Sequence, residues 1–94
     1  MQYPIAQQPL FSLGVACVAW HALQLLGWNT INHLLARHGS GDWGDVSPMR
    51  ARANVLALAQ QYPLLSQYEF PRFHIYVLTE DDRTRTFIVA HERP

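Results

Sequence analysis

From Leu64 to the end of the chain the hydrophobic pattern has a period of two, and that switch constrains the fold more than any other feature. Leu64, Ser66, Tyr68 and Phe70 alternate with Leu65, Gln67 and Glu69, which predicts a half-buried strand. Pro71-Arg72 stands where a hairpin needs its turn, and Phe73 to Thr79, β-branched and aromatic, predicts a second strand. The polar run Glu80-Asp81-Asp82-Arg83 is the next turn. Thr84 to Ala90 alternates again, completing a three-stranded antiparallel meander.

Upstream the signals are helical. Ser47-Pro48 joins a capping hydroxyl to a proline at the first helical position, so a helix is expected from Pro48 to about Gln61, closed by Pro63. Met49, Ala53, Leu56, Ala57 and Gln60 define its expected core face, with Arg50, Arg52 and Asn54 on the other. His21 to Leu26 predicts a short helix ended by Gly27. Asn29 is the expected cap of a further helix, Thr30 to His38, whose Ile31, Leu34 and Leu35 share a face and whose C-terminus is Gly39. Leu10 to Ala19 reads as a strand, since Leu13, Val15 and Cys17 alternate with small residues.

The expected fold is therefore α+β: a small antiparallel sheet of about four strands, the N-terminal strand plus the meander, with two or three helices packed on one face. Residues 1–9, with Pro4 and Pro9, read as a flexible arm, and residues 10–92 as one domain. A chain of 94 residues, 49% hydrophobic, is enough for one such core. Its seven arginines balance seven carboxylates, so no global field draws it to a polyanion, and any nucleic-acid contact has to be local. Cys17 is the only cysteine, which fits a reducing cytoplasm and excludes a cysteine-built zinc site. The apolar stretch Leu13 to Trp28 is interrupted by His21 and Gln24 and is too short to span a membrane.

Candidate chemistry concentrates in Arg37-His38-Gly39-Ser40-Gly41-Asp42-Trp43-Gly44-Asp45. Arg37 and His38 fall at a helix C-terminus, where the macrodipole favours cations. The functional alternative makes His38 a general acid or base and Arg37 a phosphate ligand. Asp42, Trp43 and Asp45 serve either as loop architecture or as a recognition loop presenting an indole. Glu80, Asp82 and Arg83 form a solvated turn, or else bring Arg83, with Thr79 and Thr86, to the His38 loop. Such a cluster would suit metal-independent phosphodiester cleavage. His38 and Asp42 supply at most two metal ligands, too few for a site; no Gly-x-Gly fingerprint follows a strand, and no phosphate-loop motif occurs, so no cofactor is expected.

These residues also carry a resemblance. The chain resembles a family of short bacterial proteins labelled "plasmid-related", some of them labelled type I restriction-modification subunit M. Its pattern is matched here by Arg37 and His38, Ser40 to Asp45, Asn54, Leu65, Ser66 and Tyr68, and Thr79, Glu80, Asp82, Arg83 and Thr86, over roughly residues 10–92. The chain departs from it at Ala19-Trp20-His21, Arg50 and Gln61. The resemblance supports a fold and a site more than a reaction, and the favoured reading is an accessory binding protein of a mobile element, without a cofactor. Its expected binding surface comprises Arg37, His38, Asp42, Trp43, Asp45, Asn54, Glu80, Asp82 and Arg83, and its partner is a protein or a nucleic acid. A methylase is excluded by size. Two alternatives stand beside this one: a toxin-like ribonuclease using His38, Arg37 and Arg83, and a dimeric structural protein whose Trp20, Trp28, Phe73 and Tyr76 offer apolar surface.

Overall fold

A computed structural model describes residues 9–93. The expected N-terminal arm, Pro9 apart, lies outside the described residues. The elements run β1 (Val15–Val18), α1 (Trp20–Gly39), α2 (Pro48–Gln60), β2 (Leu64–Glu69), β3 (Phe73–Thr79) and β4 (Arg85–Glu92). The sheet order is β1-β4-β3-β2. The meander forms as its alternation requires, with Leu64 opposite Thr79 and Thr79 opposite Thr86. β1 departs from expectation by joining β4 in parallel, which makes the sheet mixed. Both helices and two strands intervene between β1 and β4, so no hairpin dictates their relative direction.

β1 is also shorter than its sequence pattern suggests. Residues 9–13 leave the sheet and cross its helical side, where the Leu10 N–H donates to the Gly39 carbonyl at 2.7 Å. Gly14, at φ 64°, makes the corner; a side chain there would collide with the backbone of Thr84.

α1 is helical throughout except at Gly27, whose φ of 76° and ψ of 166° break it into two stretches. The break falls where the sequence places it, but Asn29 is already helical instead of capping. In α2 the Ser47 hydroxyl accepts from the Arg50 N–H at 3.1 Å, as the Ser-Pro start signal requires.

The inward face of α2 corrects the sequence reading. Met49 and Leu56, expected in the core, are 74% and 54% exposed, whereas Asn54 is fully buried beside Ala57. The reason is the helix's position at the margin of the sheet: Asn54 turns inward to bond the backbone of β2, Ala51, Ala57 and Leu58 pack on the cluster around Trp43 and Leu64, and Met49 and Leu56 are left on the outer side.

The core lies between α1 and the sheet, where Ala22, Ile31 and Leu34 meet Tyr68, Ile75, Val77 and Ile88. A second cluster joins Trp43, Ala57 and Leu64, with Phe11 packed on it. On the opposite face of the sheet Leu65, Tyr76, Leu78 and Phe87 are all partly exposed, and Val89 is 42% exposed. None of the described helices covers that face.

Candidate functional site

The structure gathers the sequence-predicted residues into two groups on the covered side of the sheet. The first surrounds His38, which the last turn of α1 drives into the interior, where its ring has no exposed surface. Its Nδ1 lies 2.6 Å from the Ser66 hydroxyl and its Nε2 lies 2.9 Å from the Thr79 hydroxyl. Thr79 in turn lies 2.7 Å from the Thr86 hydroxyl, which reaches the Leu13 carbonyl at 2.6 Å.

The proton positions in this chain follow from its end. A carbonyl only accepts, so Thr86 donates its one proton to Leu13, and Thr79 must then donate to Thr86. Thr79 therefore accepts from His38 Nε2–H, which leaves Nδ1 of the neutral ring to accept from Ser66. One tautomer satisfies every group. Burial pushes the His38 pKa down from its ordinary 6.5 to about 4, with the Arg83 charge adding to the effect. Phe11 meets the imidazole edge-on, with ring centroids 5.3 Å apart, and stacks on Trp43 at 6.3 Å, so the segment before β1 seals the network.

A serine hydroxyl donating to an imidazole resembles a nucleophile and its base. Here Ser66 and His38 are both fully buried, and both ring nitrogens are engaged. The arrangement holds the C-terminal end of α1 to three strands and leaves no place for a reacting atom. Ser66 carries the resemblance but does not stand among the expected site residues; the signal for its role is a hydroxyl on the inward, otherwise apolar side of β2.

The second group sheathes the outer edge of β2. The Asn54 side chain donates to the Leu65 carbonyl at 2.7 Å and accepts from the Leu65 N–H at 3.2 Å, acting as a substitute strand. The loop before α2 continues the cover: Gln67 N–H donates to the Trp43 carbonyl, and Asp45 N–H donates to the Gln67 carbonyl. The Asp45 carboxylate then accepts from the Glu69 N–H at 2.9 Å. Leu65, Gln67 and Glu69, the three residues of β2 whose backbone faces outward, are thus all bonded. Gly44 has a φ of 74°, and a Cβ there would meet the Gln67 carbonyl and the Tyr68 ring, so the close approach of loop and strand requires glycine.

The remaining candidates brace these groups. Arg37 clasps Asp42 at 2.6 and 3.2 Å and lies over the Tyr68 ring, 4.6 Å from its centroid. The Arg37 hydrogen bond holds the Asp42 carboxyl below its ordinary range. Tyr68 donates to the Asp42 carbonyl at 2.7 Å, and burial raises its pKa to about 12. Trp43, an exposed anchor in the recognition-loop reading and a cap on the core in the architectural one, is 8% exposed; its ring packs against Phe11 and His38.

Arg83, itself in the left-handed region at φ 62°, donates to the carbonyls of Ala57 and Tyr62, closing the C-terminal end of α2. It lies near the His38 group but presents its donors to carbonyls. Glu80 pairs with Arg85, and the Asp82 carboxylate accepts from the Thr84 hydroxyl and N–H, which shapes the β3–β4 turn.

No group of three metal-ligating side chains occurs among the described residues, and none of their helices is long and apolar enough to cross a membrane. No protein-family model matches the chain, and neither a curated protein nor a solved structure with significant similarity to it was found.

Proposed function

We propose that the protein is a small non-enzymatic interaction module, an accessory of a plasmid or other mobile element, that binds a protein partner through the uncovered face of its sheet. The observation that carries this reading is the division of labour between the two faces. His38, Ser66, Thr79 and Thr86 are buried and hydrogen-bonded in one chain, and Arg37, Asp42, Asp45 and Arg83 are engaged with neighbouring groups, while Leu65, Tyr76, Leu78, Phe87 and Val89 stand at least partly exposed on an aromatic-containing surface. A contiguous apolar patch on a small domain is the usual mark of a protein-binding surface. Aromatic side chains at its centre supply the large, rigid contact area that anchors interfaces.

The indole of the Gly-Asp-Trp-Gly loop is buried, and its carboxylates, though exposed to solvent, are engaged by Arg37 and by the Glu69 N–H, which supports placing the binding surface elsewhere. Burial also weighs against the ribonuclease alternative. A histidine with a pKa near 4 is unprotonated at neutral pH and cannot serve there as a general acid, and a phosphodiester has no path to either ring nitrogen.

The test compares wild type with Leu78→Asp on the open face. Wild type is expected to leave mixed RNA intact with and without EDTA, and to cross-link a defined host or plasmid protein that Leu78→Asp fails to cross-link while keeping its fold. RNA cleavage lost in His38→Ala, or cross-linking unaffected by Leu78→Asp, would overturn the proposal.

A further inference from the structure

The two edges of the sheet are finished differently, and the difference points to a second copy of this chain. The β2 edge is sheathed by Asn54, Trp43 and Asp45, as described above. β1 forms the other edge. Val15 N–H donates to the Thr84 carbonyl and Ala19 N–H to the Ile88 carbonyl, both at 2.9 Å. In a parallel ladder this alternation turns Val15, Cys17 and Ala19 toward β4 and leaves the N–H and C=O of Ala16 and Val18 pointing outward. No described residue bonds to those four groups. Neither charge nor proline guards the strand Val-Ala-Cys-Val, the usual protections of an exposed edge.

We propose that β1 pairs antiparallel with β1 of a second copy about a twofold axis, joining the two sheets into one of eight strands. The edge is complementary to itself: each copy offers two donors and two acceptors in the same alternation, and the twofold sets Ala16 opposite the second copy's Val18, so that all four groups on each edge are bonded. Cys17 falls on the axis facing its counterpart as a non-hydrogen-bonded pair, where side chains approach most closely.

Charge does not oppose this pairing, because β1 carries none and the chain's formal net charge is zero. The exposed residues bracketing the strand also find cover. Val15, 67% exposed, lands opposite the second copy's Ala19, and Trp20, 69% exposed, comes beside the second copy's Gly14 and Val15. α1 packs over β3 and β4 and leaves the β1 edge accessible. An interface of one short strand pair and two tryptophans lies at the small end for protein pairs, so the dimer is reversible and concentration-dependent. The proposal is independent of the open-face reading, although pairing would double that surface into one platform.

The test is light scattering on the full chain across a concentration series, with oxidative cross-linking by copper phenanthroline as the reporter of register. Wild type is expected to move from monomer to dimer mass and to form a Cys17–Cys17 cross-link. Ala16→Pro removes only an unpartnered N–H from an edge strand, so it should keep the wild-type circular dichroism and melting temperature yet lose both the dimer and the cross-link. Cys17→Glu, which sets two carboxylates across the axis, should also be monomeric. A monomer at every concentration would overturn the proposal. So would a dimer that survives Ala16→Pro, or one lost only in Leu78→Asp; the latter would place self-association on the open face and count against the partner-binding reading as well.

Discussion

At one end of the sheet the two faces reverse the expected placement of polarity. The covered face carries, at one end, the hydroxyls of Ser66, Thr79 and Thr86 around His38, all fully buried, while the opposite face shows Leu65, Leu78, Phe87 and Val89. A polar cluster is tolerated inside only when every member is bonded, and among the described residues no buried side-chain polar atom lacks a partner. The contrast teaches that a concentration of His, Arg, Asp and Ser in a small domain is not by itself a reactive site. Here those residues fix a helix end and a strand edge, which a 94-residue chain has little apolar area to fix otherwise.

The comparison breaks most sharply at the covered side. Gly44→Ala forces a side chain into the Gln67 carbonyl from a left-handed backbone, and should cost about 4 kcal/mol in urea unfolding. Asn54→Leu keeps the branched shape of the side chain but strips both partners from the Leu65 backbone. A loss of about 3 kcal/mol is expected, because an orphaned buried group costs roughly 1–3 kcal/mol.

Acid provides the third break. Unfolded histidine takes a proton below about pH 6.5, whereas folded His38 does so only near pH 4. Protonation therefore favours the unfolded chain: the contribution of His38 is complete above about pH 6.5 and is lost as the pH falls toward 4. The loss amounts to roughly 3 kcal/mol. It should be seen as a falling urea midpoint that is flat over this range in a folded His38→Gln variant.

Arg83→Ala, which frees the carbonyls of Ala57 and Tyr62, should cost about 1–2 kcal/mol, read as a lower melting temperature with earlier amide exchange at the end of α2. The smallest effect belongs to the open face. Leu78→Ser should change stability by less than about 1 kcal/mol while weakening partner cross-linking.

Much of the architecture was legible in the residues. Period-two alternation located β2, β3 and β4 to within two residues, because cross-strand packing reads directly as alternation, and Ser47-Pro48 located the start of α2. The face of α2 was not legible, since Asn54 is buried by a backbone partner on another element, and no periodicity encodes that. The parallel entry of β1 and the use of residues 9–13 as a seal depend on tertiary placement for the same reason.

In the site, the members were legible and their roles were not. Arg37, His38, Asp42, Asn54, Arg83 and the two threonines stood out as residue types. Whether Thr79 and Ser66 occupy both nitrogens of His38, or leave one open, is a matter of which side of each strand faces the helix and how tightly Phe11 closes over it.

The most direct test is ¹⁵N NMR of the histidine side chains as the pH is lowered from 8 to 5. The structure requires His38 to remain neutral throughout, protonated at Nε2 alone, with that proton slow to exchange. A His38 ring that takes up a proton near its ordinary pKa, or whose Nε2–H exchanges freely with solvent, would show an open imidazole and contradict the scaffold role assigned to it.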